Sequence, residues 1–136
     1  RQRQMCIRDR SGGCQAEIGS GSGMAAGAIC YIKGGDTDQI GHACAMALKN
    51  LMGLVCDPVG GLVEVPCVKR NVGGAVNALA AADMALAGIT SKVPVDQVID
   101  AMKEVGDKMD VSLRETGVGG VAGTAAAQEV VEKLGM

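Results

Sequence analysis

Apolar side chains recur at intervals of three and four residues along most of this sequence, and that spacing predicts helices. An alanine-rich run over residues 11–34 ends at a glycine pair, which is a common helix stop. Asp36 and Gln39 then form a capping-box pattern at the start of a second helix, which Gly53 ends. The apolar positions of this second helix are Ile40, Cys44, Ala47, Leu48 and Leu51.

Three further helices are predicted downstream. The first covers residues 69–87 and is closed by Gly88; the second opens at Pro94, a residue tolerated in a first helical turn, and stops at Gly106. The third is short and lies around residues 125–134. The larger apolar positions are Val72, Val76, Leu79 and Leu86 in the first, and Val95, Val98, Ile99, Met102 and Val105 in the second. No stretch shows sustained period-two alternation, so the predicted fold class is all-α.

Residues 54–71 interrupt the helical pattern with a loop rich in cysteine, proline and glycine. Pro58 and Pro66 fix their own φ and keep the preceding residues extended, while a Gly-Gly pair between them lets the backbone fold back. Cys56 and Cys67 lie on opposite sides of this turn. A stiff loop that presents two thiols between helices predicts a metal or cluster site.

Composition narrows the class of protein. The chain has 136 residues, enough for one domain with a real core, and its single tyrosine, absent Phe and Trp and 21 glycines predict closely packed helices with small side chains. The net charge of −2 gives no reason to expect nucleic acid or an acidic membrane surface as a partner, and no apolar run approaches the length that spans a bilayer. Six cysteines without a secretory signal pattern favour a reducing compartment, the cytoplasm, where thiols serve as ligands or buried apolar groups.

The first ten residues differ from the rest in charge. Residues 1–10 carry four arginines and one aspartate, whereas the remainder holds nine basic and fourteen acidic side chains. A basic arm that binds an anionic partner is one interpretation. We favour the other, in which residues 1–10 are a foreign or disordered segment that packs against nothing and residues 11–136 are the domain. Cys6 belongs to that segment and is not considered a ligand.

Two features of the helical runs suggest chemistry but are better explained by packing. Gly21, Gly23 and Ala26 match the dinucleotide-binding pattern G-x-G-x-x-A, yet that pattern needs a preceding strand and an acidic residue about 20 positions later, and neither is evident. We expect these residues to be packing positions. His42 is the only histidine, which excludes a histidine triad for zinc, and its place in a regular helix predicts a partly exposed residue.

The remaining cysteines divide by setting. Cys30 and Cys44 lie inside helical runs, where cysteine acts as a small apolar residue. Cys14, Cys56 and Cys67 each adjoin glycine or proline in a loop or at a helix start, where backbone N–H groups can point at a cluster thiolate. Their spacing matches no short-range cluster motif, so the residues alone leave both a metal site and ordinary buried thiols open.

Four stretches of the sequence carry a more specific signal: Gly13-Cys-Gln-Ala-Glu17, the run from Gly53 to Asn71, Ala82-Asp-Met-Ala-Leu-Ala-Gly88, and Leu113-Arg-Glu-Thr-Gly117. Together they strongly resemble the alpha chain of the iron–sulfur-dependent L-serine dehydratase family. The likeness covers roughly residues 11–130, and the central run is highly specific.

This resemblance implies a helical fold and a [4Fe–4S] cluster held by Cys14, Cys56 and Cys67. It also implies conversion of L-serine to pyruvate and ammonia without pyridoxal phosphate. Three thiolates on four irons leave one iron with an open position, which can act as a Lewis acid in β-elimination. The catalytic base is expected from a separate beta chain or domain, so no catalytic residue is assigned here. The resemblance thus implies an alpha/beta oligomer with a serine dehydratase beta chain as partner.

Residues next to the cysteines are candidates for contact with L-serine. Lys69, Arg70 and Asn71 follow the last cysteine of the loop and could bind the substrate carboxylate; a solvated helix start is an equal alternative. Glu17 could orient groups near Cys14, or it could be an ordinary exposed glutamate.

The sequence departs from the family at its beginning. The family's alpha chain extends well upstream of this Gly-Gly-Cys, with Ser/Gly/Thr-rich segments that line the site, and residues 1–10 stand in their place without matching. The Ser-Ser-His-Thr type motif of the beta chain is also absent. We therefore expect residues 11–136 to be the C-terminal part of an alpha chain, inactive alone.

Two other functions compete with this one. An iron–sulfur electron-transfer protein would need a fourth cysteine ligand, which Cys30 or Cys44 would have to supply from a helical face. A non-catalytic zinc-binding module would need a fourth ligand that the spacing does not provide.

Overall fold

The computed structural model describes residues 10–135, which are built mainly from helices. The α-helices are α1 (Ser20–Ile32), α2 (Thr37–Asn50), α3 (Cys67–Leu86), α4 (Val95–Lys108) and α5 (Ala125–Leu134). A π-helical turn, Gln15–Gly19, leads into α1, and 3₁₀ turns lie at Val59–Gly61, Val111–Leu113 and Gly120–Gly123. Between residues 10 and 135 no strand forms, so the all-α prediction is confirmed. None of the helices in this range is long and apolar enough to cross a membrane.

Helices α1, α2 and α3 pack against one another around small side chains. A Cβ on Gly23 would lie 3.0 Å from Cγ of Leu48, and one on Gly27 would lie 2.8 Å from Sγ of Cys44. The helix backbones therefore approach closely only because these positions lack side chains. Gly21 has no neighbouring atom within 4 Å, so the packing role predicted for it is wrong. The most buried core residues are Ala26, Cys30, Ala43, Ala47, Ala81 and Ala82.

Helix α2 begins with the predicted capping box. The Asp36 carboxylate accepts from the Gln39 backbone N–H at 2.8 Å, and the Gln39 side-chain oxygen accepts from the Asp36 N–H at 3.0 Å. His42 is partly exposed, as predicted, and its Nδ1 accepts a hydrogen bond from the Ser91 N–H at 3.3 Å.

Helix α3 buries a different face from the one its larger apolar residues indicate. Val72, Val76 and Leu79 are 64%, 61% and 50% exposed. The buried face of α3 carries glycine and alanine, and at Gly74 the side chain of Ile18 on the π-helical turn leaves no room for more: a Cβ there would lie 2.7 Å from Cγ2 of Ile18. The buried positions are Gly74, Ala78, Ala81, Ala82 and Ala85. The exposed residues Val68, Val72, Val76 and Leu79 are called the apolar stripe of α3 below.

Helix α4 differs from its prediction at both ends. Pro94 precedes the helix as its cap instead of occupying the first turn, and the helix continues through Gly106 to Lys108. Gly106 is a close-approach position, because a Cβ there would lie 3.1 Å from Cα of Gly12. Since glycine both ends helices and lets backbones meet, its presence alone could not distinguish the two roles.

The chain closes with α5 over the predicted residues, capped at Thr124. Residues 1–9 of the segment predicted to be foreign lie outside the described range. Its last residue does make a contact: Arg10 Nε lies 3.2 Å from a carboxylate oxygen of Glu115, so the expectation that the segment packs against nothing is wrong there.

Candidate metal centre

Three cysteines from distant parts of the sequence meet in the interior. The sulfurs of Cys14, Cys56 and Cys67 lie within 4.8 Å of one another, and those of Cys14 and Cys67 are 3.9 Å apart. All three residues are at most 5% exposed. In the part of the chain that the structure describes, the group includes no other Cys, His, Asp or Glu. The convergence of these sulfurs is confirmed, while their role as ligands stays a prediction.

Gly13 turns the chain so that Cys14 faces the other two cysteines. Its φ of +73° belongs to the left-handed region that favours glycine. A Cβ at Gly13 would lie 2.8 Å from the Leu54 carbonyl oxygen and 2.7 Å from Sδ of Met109. A side chain is thus excluded at this position by conformation and by space.

Gln15 fastens the Cys14 turn to its surroundings. Its side chain is buried, its Oε1 accepts from the Gly53 N–H at 2.9 Å, and its Nε2 donates to the Met102 carbonyl at 2.9 Å. Its backbone N–H also donates to the Leu54 carbonyl at 2.9 Å. One residue therefore ties the π-helical turn to the start of the central loop and to α4. Our sequence analysis gave Gln15 no role, although a long amide in a run of small residues beside Gly-Gly-Cys was a usable signal.

Cys56 is held in place by the Leu113–Gly117 motif. The Leu113 carbonyl accepts from the Cys56 N–H at 2.9 Å, and the Glu115 N–H donates to the Cys56 carbonyl at 2.7 Å. This pairing forms a parallel bridge between Cys56 and Arg114. The Arg114 guanidinium turns away and donates to carbonyls at the C-terminal end of α4. The motif thereby locks the first cysteine of the loop to the end of α4.

Cys67 is the first residue of α3, which begins two residues earlier than predicted. The loop before it turns as expected, with positive φ at Gly60 (+60°) and Gly61 (+71°). The N–H of Val68 donates to the Val63 carbonyl at 3.0 Å and closes the loop onto the helix. Because the N-terminal end of a helix carries partial positive charge, this position favours a thiolate.

An ion pair lies directly beside the cysteines. Nη1 of Arg70 donates to Oδ1 of Asp57 at 2.6 Å and to the Val55 carbonyl at 2.8 Å. Asp57 is buried, and its Oδ2 accepts from the Val121 N–H at 2.6 Å. The positive charge of Arg70 also acts on Cys14 and lowers the pKa of its thiol. Our sequence analysis gave Asp57 no role, although an acidic residue directly after a candidate ligand was a usable signal.

The pKa of Cys14 is lowered, whereas the pKa values of Cys30 and Cys44 are raised. The hydrogen bond with Cys56 lowers the pKa of Cys14, burial raises it, and Cys67 and Arg70 lower it further, so that the pKa is about 7. Burial raises the pKa of both Cys30 and Cys44, and Cys44 donates to the Gly23 carbonyl at 3.1 Å. Cys14 therefore ionises more readily than Cys30 or Cys44.

The three residues predicted to contact substrate lie in different environments. Lys69 is exposed, Arg70 is engaged with Asp57, and Asn71 donates from Nδ2 to the Cys67 carbonyl at 3.1 Å. Asn71 and Glu17 line one groove of about 390 Å³ between α1 and α3. Ile18 forms part of this groove and also packs against the three cysteines, so the groove lies next to the thiol site.

The sulfur positions fit a thiolate-bound metal group. Metal–thiolate bonds are about 2.3 Å long, so two sulfurs on one ion lie at most about 4.6 Å apart, and thiolates on separate irons of a cluster lie further apart. The 3.9 Å between Cys14 and Cys67 suits a single ion directly, whereas a cluster requires the sulfurs to move outward. The donor set itself, thiolates without carboxylate or histidine, is the one that iron–sulfur clusters use.

The fold and the site together define a class: an all-helical protein with a buried group of three cysteines suited to a metal centre. The chain belongs to the serine dehydratase alpha chain family, whose model matches residues 3–122. This agrees with the resemblance seen in the four motifs.

Individual relatives agree with the family assignment. The chain is 60% identical over 128 residues to the probable L-serine dehydratase alpha chain of Bacillus subtilis (strain 168), covering 94% of this chain and 43% of the relative. It is 61% identical over 118 residues to the probable alpha chain of Latilactobacillus sakei, covering 87% and 56% respectively. An L-serine dehydratase of Streptomyces coelicolor is 49% identical over 111 residues, which are 81% of this chain and 24% of that protein. The chain thus spans about half the length of the two alpha chains that it matches.

Proposed function

We propose that this chain carries the cluster-binding part of an L-serine dehydratase, with Cys14, Cys56 and Cys67 as the protein ligands of a [4Fe–4S] cluster. The reaction is the β-elimination of L-serine to pyruvate and ammonia. The single observation that carries the cluster assignment is the convergence of three buried sulfurs, with no fourth ligand from residues 10–135. The family and the names of its relatives support the substrate.

The bound cluster would supply a Lewis acid, at the iron without a protein thiolate, that makes the substrate hydroxyl a better leaving group. The residues of this chain hold the three thiolates in position and exclude water from the site. Each of the three thiolates comes from a separately braced segment, and their burial keeps bulk water from the protein side of the site. Substrate would approach through the groove that Glu17 and Asn71 line. Lys69 is exposed but does not line this groove, so its contact with the substrate carboxylate stays a prediction from the sequence. The base that removes the α-proton is expected from the beta chain.

We further propose that the chain acts only within a larger alpha/beta assembly in the cytoplasm. Two relatives are named alpha chains, and the chain covers only a quarter of the Streptomyces protein, whose name specifies no chain. The apolar stripe of α3 supports the same proposal. A helix that is apolar on most sides is normally covered by protein, and this stripe is half or more exposed here.

A second candidate is a non-catalytic site for a single metal ion. The 3.9 Å between the sulfurs of Cys14 and Cys67 favours it, because that distance allows both to bind one ion without movement. An electron-transfer role has less support, because both candidates for the fourth cluster ligand are engaged elsewhere. Cys30 is buried in the core formed by α1, α2 and α3, and Cys44 donates a hydrogen bond to the Gly23 carbonyl.

Anaerobic reconstitution of the full chain with iron and sulfide tests the cluster. We expect about four irons and four sulfides per chain, with EPR of the reduced protein typical of one cubane. Cys14→Ser, Cys56→Ser and Cys67→Ser should each abolish the cluster absorbance, and should abolish serine turnover when placed in the complete alpha and beta chains. Cys30→Ala is the matched control and should keep the cluster. One ion per chain without sulfide would support the single-ion site instead.

A further inference from the structure

One ion pair adjoins all three cysteines. Asp57 directly follows Cys56 in the chain, Arg70 lies one helical turn beyond Cys67 on α3, and the charge of Arg70 acts on Cys14. The pair also reaches a fourth segment, because the Val121 N–H donates to the Asp57 carboxylate at 2.6 Å. Two side chains thus join the four segments that surround the sulfurs.

Burial distinguishes this pair from the surface pairs of the protein. The side chains of Arg70 and Asp57 are 20% and 2% exposed, whereas those of Lys33 and Asp83 are 45% and 63% exposed at the same 2.6 Å separation. Exposed pairs contribute little because water screens them, but removal of one partner of a buried pair leaves an uncompensated charge. The protein therefore depends on the Asp57–Arg70 pair in a way that it does not depend on Lys33–Asp83.

The position of the guanidinium has an electrostatic consequence. A bound metal group would hold the three sulfurs as thiolates, which repel one another at separations within 4.8 Å, and a permanent cation beside them would offset that repulsion. Residues that contact metal ligands without binding the metal typically change metal affinity by about 10- to 100-fold. Nη1 of Arg70 already donates to Asp57 and to a backbone carbonyl. That nitrogen is therefore not available for a bidentate hydrogen bond with a substrate carboxylate.

We propose that Arg70 and Asp57 are a positioning pair for the three-cysteine site: the ion pair ties the Cys56 loop to the first turn of α3 and keeps the three sulfurs convergent. Asp57 contributes by holding the Arg70 guanidinium and the central loop in place. This gives Arg70 a different role from the substrate contact predicted for it. The inference deepens the proposed function and rests on it only for the identity of the metal group.

The first test uses the metal-free full chain and so does not depend on any cluster. Diamide takes two electrons and two protons from a pair of thiols, which become a disulfide, and the rate of disulfide formation reports how often two sulfurs meet. Peptide mass spectrometry would follow disulfides among Cys14, Cys56 and Cys67. We expect Arg70→Gln and Asp57→Asn each to slow their formation several-fold, because without the ion pair the sulfurs are held together less firmly. Lys33→Gln is the matched control and should leave the rate unchanged.

The second test is a titration of the same chains with Co²⁺ alone, followed by its thiolate charge-transfer absorbance. Arg70→Gln and Asp57→Asn should bind Co²⁺ about 10- to 100-fold more weakly than the parent. Arg70→Lys keeps the charge and should recover most of the affinity, which a purely steric role would not predict. Circular dichroism would check that each chain is folded; if Asp57→Asn is not, the two Arg70 variants decide the matter.

The outcomes separate the two proposals. Unchanged oxidation rates in Arg70→Gln, or an equal loss in Lys33→Gln, would overturn the positioning role. Slower oxidation in the variants of a chain that binds neither Co²⁺ nor a cluster would support the positioning role and reject the proposed metal function.

Discussion

Gly13→Ala should destabilise the chain through both backbone conformation and steric contact. The residue adopts φ +73°, where an L side chain costs roughly 1–2 kcal/mol. The new Cβ would also lie 2.8 Å from the Leu54 carbonyl oxygen. That oxygen accepts the Gln15 N–H at 2.9 Å and cannot retreat without breaking the bond, whereas the Met109 side chain can move aside.

The clash adds about 1–3 kcal/mol, the usual cost of overpacking a tight site. The total loss in the free energy of unfolding is therefore about 3 kcal/mol, which corresponds to a fall of roughly 10 °C in Tm for a domain of this size. Because Cys14 is the next residue, the same displacement should separate the three sulfurs and weaken metal binding.

Thermal unfolding of the metal-free chain measures this loss, with Gly34→Ala as control. Gly34 has a similar φ of +88° but no atom within 4 Å of its Cβ position, so it should lose only the conformational part, about 1–2 kcal/mol. Equal losses in the two variants would show that the contact with the Leu54 carbonyl contributes nothing. The steric reason for glycine at position 13 would then be wrong.

Three further predictions concern the core and the exposed face. Gln15→Leu removes two part-buried hydrogen bonds, to the Gly53 N–H and the Met102 carbonyl, and should lower the free energy of unfolding by about 1–3 kcal/mol in urea titrations, at about 0.5–1.5 kcal/mol per bond; a loss below 0.5 kcal/mol would contradict this. Cys30→Ala and Cys44→Ala should cost on the order of 1 kcal/mol and keep full iron content after reconstitution, and loss of iron from either would identify a missed ligand. Val76→Ser, on the apolar stripe of α3, should change the free energy of unfolding by less than about 0.5 kcal/mol, whereas Ala81→Val in the core should lower it by about 1–3 kcal/mol. If thermal melts rank the two variants in the opposite order, the assignment of the alanine face of α3 to the core is wrong.

Much of the fold follows from local chemistry. The capping box at Asp36 and Gln39 was predictable because its two hydrogen bonds join residues three apart, which no tertiary contact needs to arrange. The central loop was predictable for the same reason, since proline and glycine restrict the backbone wherever they stand. The grouping of Cys14 with Cys56 and Cys67 was predicted through likeness to a family, because nothing in separations of 42 and 11 positions brings the sulfurs together.

Other features depended on which surfaces meet. Helical spacing on α3 marked Val72, Val76 and Leu79 as the apolar face, but the close approach of α1 and α2 buries the alanine face instead. Gly106 resembled a helix stop, and only the nearby backbone of Gly12 shows it to be a contact position.

By itself, the sequence determined the presence of the helices, the capping box of α2 and the Cys/Pro/Gly loop, because each depends on residues within a few positions of one another. Only the tertiary structure decided which face of α3 is buried, that the Leu113–Gly117 motif holds Cys56, and that Arg70 pairs with Asp57 beside Cys14. The physical reason is the range of the interactions. Hydrogen bonds and steric exclusion between segments distant in sequence depend on how the helices pack, and that packing is fixed by the whole set of small residues at once.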